Sequence, residues 1–360
     1  MMDTGTIGIV FGSLTPPEEL REGAALAERL GFGELWFSED CFFTGGMSGL
    51  TQLLAATRAM PAGLGLASVM TRHPAVLAME LAGLARTYPG RVKAAVGLGN
   101  THWLRQMGLL PPRPLSAVTE TFDVVRELLN GATVDRGSAA HHLEGIRLDF
   151  PPKQPPELWI GAVNERALRA AGGRADGILL SVLASPAYVN WARRVATDAG
   201  RAAPPITAFV LASVSDDERA ARDAVRDAVG FFLKAEAHTA LVGQSRYGSE
   251  IRRRVAALEE DEPLAVEDAW IDEFAAAGSP GQVRDRLRAA RLRCRLARPV
   301  AVPARPPRGP VAAAGRRRAG QDLSVIAPAA AFTLRCRAGA LPLAGPERGR
   351  RAGRSEGSCR

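Results

Sequence analysis

Residues 66–100 read LASVMTRHPAVLAMELAGLARTYPGRVKAAVGLGN and carry the unit from which the fold is built. They begin in a short apolar run, residues 63–69 (GLGLASV), that reads as a strand. Pro74 then opens a helix over residues 74–87. Proline suits a first helical position, where its missing N–H is not needed. Residues 91–98 (RVKAAVGL) return to a continuous apolar run, and glycine and asparagine end it. Strand, helix and strand thus follow one another with short connections.

The same alternation extends in both directions. Further strands are expected at residues 6–11 (TIGIVF), 34–38 (ELWFS), 157–161 (ELWIG), 176–181 (DGILLS) and 206–213 (ITAFVLAS). Helical periodicity covers residues 17–30, 48–60, 116–130, 164–171, 186–198 and 217 to about 240. Most strand starts lie about 20–30 residues apart, the size of a βα unit. Strands that are apolar throughout argue for a parallel sheet covered on both faces. Seven such units fit an α/β fold of the TIM (β/α)8-barrel type better than a doubly wound sheet. The step from residue 91 to 157 is too long for one unit, so a hairpin is expected at 133–150. A second insertion, of charged helices, is expected at 241–270.

The eighth strand is expected to be missing or aberrant. Ser279 and Pro280 start a helix over 279–290. A strand should follow within about 5–10 residues, but the chain continues RLRCRLARPVAVPARPPRGP. Only residues 299–303 hint at a strand, and prolines bracket them. Such a loss leaves the first and seventh strands with open edges. The domain reading is therefore a barrel over 1–290 and an Arg/Ala/Pro/Gly-rich tail over 291–360, disordered in composition.

Charge divides at the same place. The chain carries a formal +8, yet residues 291–360 hold 16 Arg, no Lys and three acids, a net +13, which leaves −5 for the rest. The barrel has an ordinary soluble surface and no expected nucleic-acid partner. The tail reads either as a basic arm for nucleic acid or acidic lipid, or as out-of-frame translation of a GC-rich gene. The change inside a βα unit and the absence of lysine favour the second. An inactive barrel, or a nucleic-acid binder acting through the tail, is the alternative of another class. Cys41 stands alone before the tail, and no spacing resembles a zinc site or disulfide framework. The first residues lack a leader pattern, and no apolar run is long enough to span a membrane. A cytoplasmic protein is expected.

In a barrel of this kind chemistry sits at the carboxyl ends of the strands. Glu39 and Asp40 end the second strand; Ser68, Val69 and Met70 the third; Gly97 and Asn100, then Trp103, the fourth; Gly161, Ala162, Val163 and Asn164 the fifth; Ser181 the sixth. A carboxyl group there can hold a proton for a substrate, and burial raises its pKa. Gly97-Leu98-Gly99 lacks the third glycine of a dinucleotide fingerprint. The turn 161–164 leads into a helix whose N–H groups suit a phosphate. His141-His142 with Glu144 reads as a surface hairpin rather than a metal site, because adjacent strand residues face opposite ways. No metal is expected.

Three segments carry a resemblance: WFSEDCFFTGG (36–46), the opening segment 66–100, and LWIGAVNERALRAAGGRADGILLSVLASPAYV (158–189). Over about residues 5–290 the chain resembles the luciferase-like monooxygenase family, nearest its coenzyme F420 (deazaflavin) branch, and is similar to methylenetetrahydromethanopterin reductases. The resemblance implies an oxidoreductase that passes a hydride between reduced F420 and a small organic substrate, with an FMN-dependent monooxygenase as the alternative. It implies that Asp40 or Glu39 lies beside the ring as the catalytic acid, and that Ser68, Val69 and Met70 back the ring. It also implies that Gly97, Asn100, Trp103, Gly161, Ala162, Val163, Asn164 and Ser181 contact the cofactor. Relatives carry a non-prolyl cis peptide at the position of Ser68-Val69, which costs about 3–4 kcal/mol. A carboxylate is frequent where Asn100 stands. Substrate identity is not implied, and a homodimer is left open.

Overall fold

The structure, a computed structural model, describes residues 7–12, 15–137, 141–197, 204–259, 262–289 and 330–336. The apolar runs form β1 (Ile7–Phe11), β2 (Glu34–Phe37), β3 (Ala62–Ser68) and β4 (Val92–Gly97). A hairpin of β5 (Val134–Gly137) and β6 (His142–Ile146) follows, then β7 (Glu157–Gly161), β8 (Gly177–Leu180) and β9 (Ile206–Val214). Two strands come late, β10 (Ala275–Gly278) and β11 (Ala330–Cys336). The helices are α1 (Leu20–Arg29), α2 (Gly46–Ala56), α3 (Pro74–Thr87), α4 (Thr101–Gln106), α5 (Pro114–Leu129) and α6 (Glu165–Gly172). They continue with α7 (Pro186–Thr197), α8 (Glu218–Glu236), α9 (Ala240–Gly243), α10 (Gly248–Ala256), α11 (Asp268–Phe274) and α12 (Pro280–Ala289).

Neighbouring strands run β9–β11–β1–β2–β3–β4–β7–β8, and the β8–β9 ladder joins the two ends of that order. The pairings therefore run round an eight-membered ring. Every ladder in it is parallel except those of β11, which lies antiparallel to both β1 and β9. This corrects the expectation of open edges on the first and seventh strands, since β11 occupies the eighth position. The candidate strand at 299–303 lies outside the described residues. β10 runs parallel to the last residues of β9. It escapes a reading by propensity because alanine favours strands weakly.

Alternation along the strands separates two layers of core. Leu35, Phe37, Leu64, Val96 and Ile160 pack outward with Leu53, Leu81 and Val125 of the helices. Trp36, Trp159 and Phe209 fill the inside, with ring centroids 5.6 and 6.2 Å from Trp36 in edge-to-face contact. Gly63 and Gly177 make room for these rings, since a Cβ at either would stand within 2.6 Å of indole carbon. Toward the amino end, Glu34 accepts from Trp36 Nε1 at 2.9 Å and pairs with Lys93 Nζ at 2.7 Å. Both charges are buried, so the pair is weak evidence of stability when intact, but removing one partner would cost about 3–5 kcal/mol. The inside of the ring is thus filled by these rings, and the strand ends lie at its carboxyl-terminal mouth.

Candidate active site at the mouth of the ring

The loop after β2 is held by Glu39. Its carboxylate accepts two hydrogen bonds from the Arg72 guanidinium, at 2.6 and 2.8 Å, and one from the Gly46 N–H at 2.7 Å. Arg72 also meets Glu80 at 3.4 Å. Glu39 therefore ties together the end of β2, the start of α2 and the approach to α3. It is committed to positive partners. Asp40, beside it, is shifted by its surroundings. Burial, with the Glu39 charge added, pushes its carboxyl up to about 6. The Cys41 thiol is also pushed up, by burial first and then by the two carboxylates.

The middle of β3 holds a feature that the sequence does not announce. Register with β4 shifts between Leu64 and Ala67, a bulge. Leu66 has φ +137°, which an L residue rarely adopts. It is also half-buried in a strand otherwise buried. Its Cδ1 lies where a Cβ on Gly97 or Gly161 would sit, at 2.5 and 2.2 Å. Both glycines are the last residues of their strands, so the leucine spreads across the mouth at that level as an apolar floor. Above it, Ser68 Oγ donates to the Leu98 carbonyl at 2.6 Å and accepts from the Met70 N–H. Val69 is fully buried and its N–H donates to the Gly97 carbonyl. Among the described residues there is no cis peptide bond, so the Ser68–Val69 bond is trans. The irregularity of this strand lies instead at Leu66, where Gly97 and Gly161 leave the space for it.

The remaining strand ends have mixed roles. Asn100 caps α4, its Oδ1 accepting from the His102 and Trp103 N–H groups. The half-buried Trp103 meets the exposed Phe42 edge-on at 6.5 Å. After β7, the Ala162 N–H donates to the Leu179 carbonyl and the Val163 carbonyl accepts from Tyr188 Oη at 2.8 Å. Burial, with Glu236 nearby, pushes the Tyr188 phenol far above its ordinary value. Asn164 Oδ1 accepts from the Ala240 N–H at 3.0 Å, fastening the second insertion to this turn. Glu165 pairs with Arg169 at 2.8 Å, which blunts its opposition to an anion at the start of α6. Ser181, half-buried, follows β8.

Arg72, Leu66, Phe42 and Tyr188 complete this mouth, and sequence reasoning assigned none of them a site role. A faint signal existed for Leu66 in the strand-end glycines at 97 and 161. Arg72 lies 33 residues from Glu39 and gave none. His141 places its ring 5.0 Å from His73, near the Val69 backbone, while His142 faces outward, the opposite facing expected of adjacent strand residues. Among the described residues no three His, Cys, Asp or Glu side chains gather as a metal site. No helix among them is long and apolar enough to cross a membrane.

An apolar floor flanked by glycines, with a protonatable carboxyl beyond it, has the shape and chemistry to take a planar redox ring. The chain is 24% identical over 295 residues to a 5,10-methylenetetrahydromethanopterin reductase from Methanolobus tindarius, covering 78% of this chain and 89% of that one. In structure it is similar to the coenzyme F420-dependent tetrahydromethanopterin reductase from Methanopyrus kandleri, with a TM-score of 0.65 at 21% identity over 81% of this chain and 92% of that one. A similar likeness, TM-score 0.65 at 20% identity over 80% and 91% of the two chains, holds to an F420-dependent secondary alcohol dehydrogenase solved with an F420–acetone adduct. The luciferase-like monooxygenase profile matches residues 3–294, and the chain is an oxidoreductase belonging to that family.

Proposed function

We propose that this chain is a reductase or dehydrogenase that uses coenzyme F420 and acts on a small carbonyl compound or the matching alcohol. The observation that carries the reading is the make-up of the strand ends, where Leu66 lies against Gly97 and Gly161 and the carboxyl of Asp40, pushed up by burial, follows β2. When bound, reduced F420 supplies a hydride. Asp40 would hold the proton that a carbonyl oxygen needs as its carbon is reduced. Glu39 and Arg72 would act as positioning residues, fixing the loop that carries Asp40. Leu66 would back the ring, with Ser68, Val69 and Met70 around it. Gly97 and Gly161 would keep the approach open, and Asn100, Trp103 and Ser181 would border it. The turn Gly161–Ala162–Val163–Asn164, braced by Tyr188, would take the phosphate end near the start of α6.

Titration of the purified chain with oxidised F420 and with FMN, followed by cofactor fluorescence, tests the reading. Micromolar or tighter F420 binding with no FMN binding is expected. FMN binding alone would overturn it in favour of an oxygen-using monooxygenase. The reading also keeps residues 1–290 as the barrel domain and 291–360 as an addition that lends it one strand. It takes the protein as cytoplasmic, with a homodimer to be tested by light scattering.

A further inference from the structure

Phe42 combines two unfavourable features two residues beyond Asp40. Its φ is +75°, in the region that favours glycine, and its side chain is 69% exposed. Residues in such conformations persist where their surroundings over-determine them, and they gather at ligand clamps. Here the surroundings are the tight turn made by the Phe43 N–H on the Asp40 carbonyl, and the edge-on contact with Trp103 at 6.5 Å and 76°. Phe43 is exposed as well. The cation of this loop, Arg72, is already matched by Glu39 and Glu80. This loop therefore offers aromatic surface and a carboxyl that is easily protonated, while Arg72 is taken up by two carboxylates.

We propose that Phe42 and Trp103 form an aromatic jaw that takes the apolar arm of a neutral ketone, or of the corresponding secondary alcohol, whose oxygen meets Asp40. The inference rests on the reductase reading and adds the substrate class to it. In the reducing direction the carbonyl carbon gains the hydride and the C=O π bond breaks. The oxygen takes the Asp40 proton, and the cofactor is left oxidised by two electrons. Aryl and bulky alkyl arms pack against the jaw; small or anionic ketones do not gain from it.

The test is binding of acetophenone, acetone and pyruvate to the full chain by saturation-transfer NMR, with and without F420. Wild type is compared with Phe42→Ala and Phe42→Gly. Acetophenone should bind about tenfold tighter than acetone, and both variants should lose that preference. Phe42→Gly should keep or raise the melting temperature, because glycine accepts the positive φ. F420 affinity should stay unchanged in both. Equal binding of the two neutral ketones, tighter binding of pyruvate, or undiminished preference in the variants would overturn the jaw. F420 binding without aryl preference would sink the jaw and spare the reductase reading. Aryl preference lost in the variants of a chain that binds no F420 would do the reverse.

Discussion

Asp40 sets two pH dependences that can be told apart. Its folded pKa, about 6, lies above the ordinary 3.8, so the folded chain holds a proton that the unfolded chain releases between those values. Stability contributed by that proton is full below 3.8 and is lost as pH rises through 6. The shift is set first by burial and then by Glu39 beside it, with Arg72 already held by Glu39 and Glu80. Asp40→Asn should therefore stabilise the chain at pH 8, by about 1–2 kcal/mol once solvent at the mouth is allowed for, and have little effect at pH 4. Carbonyl reduction by wild type should fall above pH 6, and the variant should be slow throughout. Equal urea midpoints for the two proteins at pH 8 would contradict this. A second residue-scale test concerns the floor. Gly161→Ala would force a Cβ onto Leu66 Cδ1 and should cost about 1–3 kcal/mol. Leu66→Ala should recover most of that in the double variant, a coupling read from a denaturant cycle. Simple additivity would show that the leucine lies elsewhere.

At the scale of elements, legibility followed the length and purity of the apolar runs. α3 and β7 were readable to the residue, because Pro74 marks a start and ELWIG is bounded by polar and glycine residues. α4 was read only as a strand end, since six residues are too few to show a period. β3 looked unbroken, and nothing in GLGLASV tells a bulge from a regular strand. The candidate site was legible where polar residues follow strands, which located Asp40, Ser68 and Asn164. It was not legible where contact depends on the third dimension. Glu39 looked interchangeable with Asp40 until Arg72 and the Gly46 N–H were seen to meet it. The hairpin was placed by the overlong step between strands, but its return onto His73 was not, because sequence carries no direction for an excursion.

For the whole molecule, the ring depends on a strand from the far end of the chain. Ending the chain after residue 289 would leave β1 and β9 each without the partner on one edge, whereas ending it after Cys336 would keep every described ladder. The shorter form should aggregate or lose F420 binding, and the longer should match the full chain in size-exclusion chromatography. Equal behaviour of both would show that β11 is dispensable. The tail's composition hid this strand: AAFTLRC is its one stretch with Phe, Thr and Leu together, amid arginine, alanine and proline.

The pairing of Ile7 with Leu334 also orders events in time. Ile7 leaves the ribosome long before its partner Leu334 is made. Until then the earliest strand has one finished neighbour and one exposed seam. Contacts so distant in sequence form slowly, and an unfinished seam invites other chains. The nascent protein should therefore be most vulnerable in the interval between completion of α12 and arrival of β11, and a chaperone acting during synthesis should raise its yield more than one added afterwards.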